Sequence, residues 1–369
     1  MKGKILILNI ILGILRPFAY MQRVKSNRIL FISLESDKLE GNFKLIADSL
    51  NRNKYDVRFN LVKFNKNIAG YAKYFFNCIK QLFLVNSSAL IMIDFNNYIC
   101  ANYKRPEVKV FELWHASGCI KKFGNETDRD YKVKNYDYVL SAADAFKPFF
   151  AKAFNVKEDD VMSLGIPITD EFFDENRKNN AINRLNMTYP IKGKKVILYA
   201  PTFRGRLMKG FKGEYLDVDS VSTALGDDYV ILYKMHPLMK DYVLLDKNNK
   251  NVVNVSHEDL TDLFFVTDIL ISDYSALIFD FSVFDKPIVL FAPDIEEYRS
   301  DTGLFLDYEN EMPGPIVKTK DELISVLKGY EFDEIKRQKI RDFKEKYAAK
   351  TDGNSLKRVV TFIDSIMKG

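Results

Sequence analysis

The stretch Asp262-Leu-Phe-Phe-Val-Thr-Asp268-Ile-Leu-Ile-Ser272-Asp273-Tyr274-Ser275-Ala-Leu-Ile-Phe-Asp280-Phe-Ser-Val-Phe-Asp-Lys286-Pro287-Ile-Val-Leu-Phe291 decides the fold class. Ile269 to Ile271 is a short apolar run of the kind a buried parallel strand needs. Ser272 to Ser275 stops that run and supplies capping residues for a helix expected to begin near Ala276. The helix must end before Lys286-Pro287, after which Ile288 to Phe291 is apolar again. Strand, polar turn, helix, strand is a βαβ unit. Such a turn, at the carboxyl end of a parallel sheet, offers free N–H groups and hydroxyls to an anion. A plain structural crossover has the same pattern.

Working outward, the same rhythm fills most of the chain. Strands are expected at Arg28–Ser33, Asp56–Asn60, Ala89–Ile93, Lys109–Trp114 and Tyr138–Ser141, with helices over residues 42–50, 71–84 and 143–154. Val196–Ala200, Tyr229–Lys234, Val252–Val255 and Pro315–Val317 continue the series, and amphipathic helices follow near residues 321–329, 333–348 and 359–367. Alternating strand and helix predicts an α/β protein with open parallel sheets. The polar runs Glu175–Asn180 and Lys192–Lys195 mark a domain boundary near 170–192. The expected organisation is a helix over 1–25, one Rossmann-like domain over 26–180, a second over 190–330, and closing helices over 331–369. The two domains would face a cleft.

Bulk properties narrow the function. The chain has 369 residues, 47% hydrophobic and 28% charged, with a net charge of +5. That balance is ordinary for a globular protein and too mild to argue for nucleic acid. Cys78, Cys100 and Cys119 are far apart with no metal-ligand spacing, which suits a reducing cytoplasm and argues against structural zinc. The N-terminus differs from the rest. Ile5 to Leu15 is nearly all apolar, flanked by Lys2, Lys4, Arg16, Arg23, Lys25 and Arg28, with no acid before Glu35. The segment is too short to cross a bilayer and lacks a good cleavage site for a signal peptide. It reads either as a helix lying in an anionic membrane interface or as a helix buried against the next domain.

Histidine is scarce: His115, His236 and His257 only. His115 and His236 each follow a predicted strand, where ligands bind in such sheets. His257, beside Glu258 and Asp259, reads as surface. Trp114 reads as a core anchor under the loop that follows it. Lys121 and Lys122 either hold a phosphate or are solvated. Arg204, in the loop with Thr202, presents a planar fork suited to phosphate oxygens. Asp273 and Asp280 are placed to cap and orient and do not form a carboxylate pair. No GxGxxG, Walker, HExxH or GxSxG motif stands in its required context.

Six collinear segments together resemble the CDP-glycerol glycerophosphotransferase family, which makes teichoic acids and related capsular polymers in bacteria. They are Trp114–Gly124, Gly165–Asp170, Leu198–Arg204, Lys234–Pro237, Ser272–Asp280 and Pro313–Val317. The resemblance implies a GT-B fold and peripheral association with the cytoplasmic face of the membrane. It further implies transfer of a polyol phosphate from CDP-glycerol or another CDP-polyol to a polyprenyl-linked saccharide or growing polyol-phosphate chain. It places His115 and His236 at catalytic positions and implies neither metal nor cofactor. Substrate contacts are expected from Ser117, Gly118, Lys121, Lys122, Thr202, Arg204, Lys234, Asp273, Tyr274, Ser275 and Asp280. Lys234, Ile168 and Thr302 stand where the family commonly has Arg, which leaves the polyol open. A nucleotide-sugar glycosyltransferase or epimerase on the same fold is the competing enzyme reading. A non-catalytic protein that holds an anionic lipid head is the competing binding reading.

Overall fold

Apolar runs bounded by polar residues become parallel strands, because a strand covered on both faces must be apolar along its length. The computed structural model describes residues 2–114, 116–129, 131–202, 216–235, 249–329 and 331–368. The chain divides into two units. The first holds Met1–Ala116, Phe123–Asp170 and Lys350–Gly369, and the second holds Ser117–Lys122 and Glu171–Ala349.

The first unit begins with α1 (Lys2–Tyr20) and β1 (Lys25–Ser33), then α2 (Gly41–Ser49), β2 (Asp56–Leu61), α3 (Ile68–Val85) and β3 (Ser88–Ile93). It continues through α4 (Tyr98–Tyr103), β4 (Lys109–Glu112), β5 (Tyr138–Ser141), α5 (Lys147–Phe154) and β6 (Val161–Ser163). Among the described residues these strands form a six-stranded parallel sheet in the order β2-β1-β3-β4-β5-β6. The order reverses between β1 and β3, so their carboxyl ends flank the crevice where such sheets hold ligands. The core gathers Phe31, Leu90, Met92 and Phe111 around the strands. Full burial of each such side chain contributes about 1.5–3 kcal/mol.

The second unit comprises α6 (Glu175–Thr188), β7 (Lys195–Tyr199), α7 (Val218–Leu225), β8 (Tyr229–Tyr233), β9 (Val252–Asn254), α8 (Leu260–Val266) and β10 (Ile269–Ser272). It goes on with α9 (Leu277–Ser282), β11 (Ile288–Phe291), α10 (Ile295–Asp301), α11 (Tyr308–Glu311), β12 (Ile316–Val317), α12 (Lys320–Gly329) and α13 (Glu334–Tyr347). Its described strands form a second six-stranded parallel sheet, ordered β12-β11-β10-β7-β8-β9. Here the order reverses between β7 and β10. The last helix, α14 (Ser355–Ile366), belongs to the first unit, where Val359 and Ile363 enter its core. The closing helices therefore divide between the units.

Three expectations change. The polar run at Glu175, read as marking a domain boundary, is the start of α6. Asp174 caps it by accepting from the N–H groups of Asn176 at 2.9 Å and Arg177 at 3.0 Å. Arg177 and Arg184 then bind Asp262 at 2.9 and 3.0 Å, so ion pairs do much of what an apolar stripe does elsewhere. The strand expected to reach Trp114 stops at Glu112, and Trp114 adopts a left-handed backbone with φ 45°. The helix after Ser275 runs only six residues.

Candidate functional site

In the second unit the loops after β7 and β10 lie at the strand-order reversal, and hydrogen bonds lock them together. The Ser272 hydroxyl donates to the Ala200 carbonyl at 2.8 Å. The Thr202 N–H donates to both Asp273 carboxylate oxygens, at 2.9 and 3.0 Å, and the Tyr274 N–H donates to Oδ1 at 2.6 Å. The Tyr308 hydroxyl donates to the Asp273 carbonyl at 2.9 Å. Tyr274 stacks on Tyr298 with ring centroids 3.9 Å apart, and its hydroxyl donates to Asp294 at 2.9 Å. Asp273 and Tyr274, both among the expected substrate contacts, are buried, and these bonds fasten the two loops together. Ser275 remains half-buried at the turn, accepting from the Leu277 N–H at 3.4 Å. At six residues α9 adds little fixed dipole behind Ser275.

Lys234 follows β8 half-buried, its ammonium donating to the Glu258 carbonyl at 2.5 Å. Burial pulls its pKa down, against the attraction of Asp259 and Glu258. Ser117–Lys122 docks on this same unit. Lys122 N–H donates to the Gly303 carbonyl at 3.0 Å, Phe305 N–H to the Ile120 carbonyl at 2.8 Å, and Lys121 forms an antiparallel bridge with Leu304. Gly118 is buried, Lys121 exposed and Lys122 half-buried. The buried Ser117 hydroxyl donates to the carboxyl of Asp280 in α9. Removal from water pushes Asp280 up to about 7, with the Ser117 hydrogen bond opposing. Asp280 was expected to meet substrate. Its carboxyl holds the segment that follows residue 116.

In the first unit, β4 ends at Glu112, whose side chain is fully buried. Its Oε1 accepts from the Trp114 N–H at 3.1 Å, while Oε2 has no hydrogen-bond partner among the described residues. Burial, then repulsion from Asp94, holds its pKa well above the usual range. Asp94, the residue after β3, is pushed up to about 6 by burial, with a Ser33 hydrogen bond opposing. The Trp114 indole stacks on Phe123 at 4.3 Å and meets Phe154 edge-on at 5.3 Å. A left-handed backbone at so bulky a residue is strained. It sits at the carboxyl end of a central strand, where strain marks functional turns. Sequence reasoning passed over Ser33, Asp94 and Glu112. The available signal was that each is the polar residue closing an apolar strand.

His115, His236 and Arg204 lie outside the described residues. Their described neighbours are Trp114 and Ala116, the buried Met235, and Thr202. His257 is exposed. Among the described residues no group of His, Cys, Asp and Glu is arranged to hold a metal ion.

The family model described as CDP-Glycerol:Poly(glycerophosphate) glycerophosphotransferase matches residues 14–365. The teichoic acid ribitol-phosphate primase of Bacillus spizizenii is 31% identical over 367 residues, covering 93% of this chain and 92% of that one. The teichoic acid glycerol-phosphate primase of Bacillus subtilis is 29% identical over 397 residues, covering all of both. A solved structure of the wall teichoic acid polymerase TagF has the same fold, with a TM-score of 0.74 at 24% identity over 98% of this chain and 95% of that one.

Proposed function

Because the chain belongs to the CDP-glycerol:poly(glycerophosphate) glycerophosphotransferase family, we propose that it moves a polyol phosphate from a CDP-polyol to a hydroxyl of a lipid-linked saccharide or growing chain. One observation carries the reading beyond family membership. Four of the six motif segments run out from the carboxyl ends of β7, β8 and β10 in one unit and of β4 in the other, where parallel sheets present ligands. In the proposed step the acceptor oxygen forms a bond to the β-phosphorus, and the bond from that phosphorus to the bridging oxygen breaks. CMP leaves with the electron pair. An alcohol is a weak nucleophile, and an imidazole titrating near neutrality suits removal of its proton. His115 takes that role, while His236 and Arg204 offset charge on the diphosphate.

Sequence identity does not choose the polyol, since a ribitol-phosphate and a glycerol-phosphate primase match almost equally. Release of CMP from CDP-glycerol and from CDP-ribitol, measured side by side, makes that choice; silence with both donors would end the transferase reading. His115→Ala should lose about 10²-fold or more in turnover.

With a lipid-linked acceptor, this reading puts the reaction at the cytoplasmic face of a membrane. Support comes from α1. Leu8, Leu12 and Ala19 are buried, while Ile7, Ile10, Ile14 and Phe18 are each more than half exposed. No helix among the described residues is long and apolar enough to cross a membrane, so α1 would lie in the interface, with Arg16, Arg23 and Lys25 near its end facing anionic headgroups. Flotation of the full chain with phosphatidylglycerol vesicles, lost with phosphatidylcholine alone, is the expected result.

A further inference from the structure

A cavity of about 330 Å³ opens in the first unit between the edge strand β2 and helix α3. Lys73, Phe76, Asn77 and Lys80 line it from α3, at the spacing that brings side chains to one helix face. Phe59 and Asn60 line it from β2. Asn77 is buried, at 7% exposure, and its Oδ1 accepts from Asn60 at 2.9 Å. Asn60 accepts in turn from Gln81 at 2.7 Å, and Gln81 from Asn97 at 3.0 Å. This buried chain of amides fixes the direction of Asn77 and leaves its Nδ2 with no acceptor among the described residues. A buried donor without a partner costs about 1–3 kcal/mol. An acceptor arriving in the cavity would recover that loss.

The charge around the cavity has one sign. From Val57 to Ile93 the sequence contains Arg58, Lys63, Lys66, Lys73 and Lys80 and no acidic residue. Lys73 and Lys80 are exposed on either side of Phe76, itself 68% exposed. Two ammonium groups and an amide donor at the wall of a cleft, with exposed aromatic rings at its rim, match a phosphate ester carrying an apolar chain. The same helix exposes Ile68 and Tyr71 and packs on α1, whose outer face is apolar. We propose that this cavity is a binding site for the phosphate headgroup of an anionic membrane lipid, gripped by Lys73, Lys80 and Asn77. The assignment rests on the membrane-surface reading of α1 and is separate from the transfer chemistry.

The test is a calorimetric titration of the full chain with short-chain phosphatidylglycerol kept below its micelle concentration. The wild type should bind. Lys73→Ala combined with Lys80→Ala should weaken binding about tenfold or more, by loss of two charges next to the headgroup. Lys63→Ala with Lys66→Ala, removing the same charge from the neighbouring loop, should change it less than about threefold. Asn77→Ala should weaken it about threefold or more at unchanged charge. Equal loss from both lysine pairs would mean a diffuse basic surface and overturn the site. Inorganic phosphate binding as tightly as the lipid would overturn the lipid assignment. CMP release with a soluble acceptor should stay unchanged in the lysine variants, and vesicle flotation reads α1 separately, so failure of either earlier reading is seen apart from failure of this one.

Discussion

Asp280→Asn separates two roles for a carboxyl that the sequence placed among the substrate contacts. The side chain sits in α9 and receives the Ser117 hydroxyl. Burial raises it from 3.8 to about 7. Because that value lies above an unfolded aspartate's, the stability this group contributes is complete in acid, falls as pH rises between those two values, and levels off beyond them. At about 1.4 kcal/mol per tenfold change, the whole move corresponds to about 4 kcal/mol as an upper figure. Asparagine keeps the acceptor for Ser117 and removes the charge. Denaturant unfolding at pH 5, 6, 7 and 8 should therefore show wild-type stability declining with pH relative to Asp280→Asn, with the variant the more stable at pH 8. Asp280→Ala, which strands the Ser117 hydroxyl, should lose about 1–3 kcal/mol at every pH. If Asp280 only positions Ser117–Lys122, CMP release by Asp280→Asn stays within about threefold of wild type, against a much larger loss expected for a direct contact to phosphate. Parallel wild-type and Asn stability curves from pH 5 to 8 would refute the reasoning.

Two further perturbations follow from the first unit. Glu112→Gln should preserve CMP release within about threefold, because burial holds the native carboxyl well above its usual range and so favours the uncharged form that Gln imitates, and Gln retains an acceptor for the Trp114 N–H; a loss as large as that of Glu112→Ala would show that the ionised form matters. Gly165→Ala should destabilise the chain by about 2 kcal/mol or more in denaturant unfolding, since Gly165 has φ 82° and a Cβ there would overlap Ser355 and the Lys350 carbonyl. Unchanged stability would mean that α14 does not dock through this turn.

Legibility of the fold tracked burial. β3, β10 and β11 are buried along nearly their whole length, so their apolar runs declared them and their ends within a residue or so. The short edge strand β6 left no such trace, because three residues give no period to read. Helix α6 buries only Ala181 and Leu185, and its remaining support is the cap and the ion pairs to α8, partners about 80 residues away that local pattern cannot show. The attachment of Ser117–Lys122 to the second unit was equally invisible, since it depends on Gly303, Phe305 and Asp280. Of the candidate site, the strand-end loops were legible as polar residues after apolar runs. The division of labour within them was not. Asp94 and Glu112 looked like ordinary strand-closing residues until the one buried oxygen that each leaves without a partner among the described residues could be seen.

That division has a physical logic in the Ser272–Ser275 loop. A turn that must present backbone groups to a ligand cannot also satisfy itself by secondary structure, so something else has to hold its shape. Asp273 accepts three bonds from two N–H groups, one in each loop, and Ser272 ties the same pair by a fourth bond. Tyr274 and Tyr308 brace the loop from beneath through stacking and two hydroxyl donors. The three N–H bonds commit the Asp273 carboxylate to holding the two loops together. The half-buried Ser275 hydroxyl, which accepts one long bond from the Leu277 N–H, has no such duty. The motif therefore reads as a rigid bracket built from its first three side chains, which holds Ser275 and the adjoining backbone still.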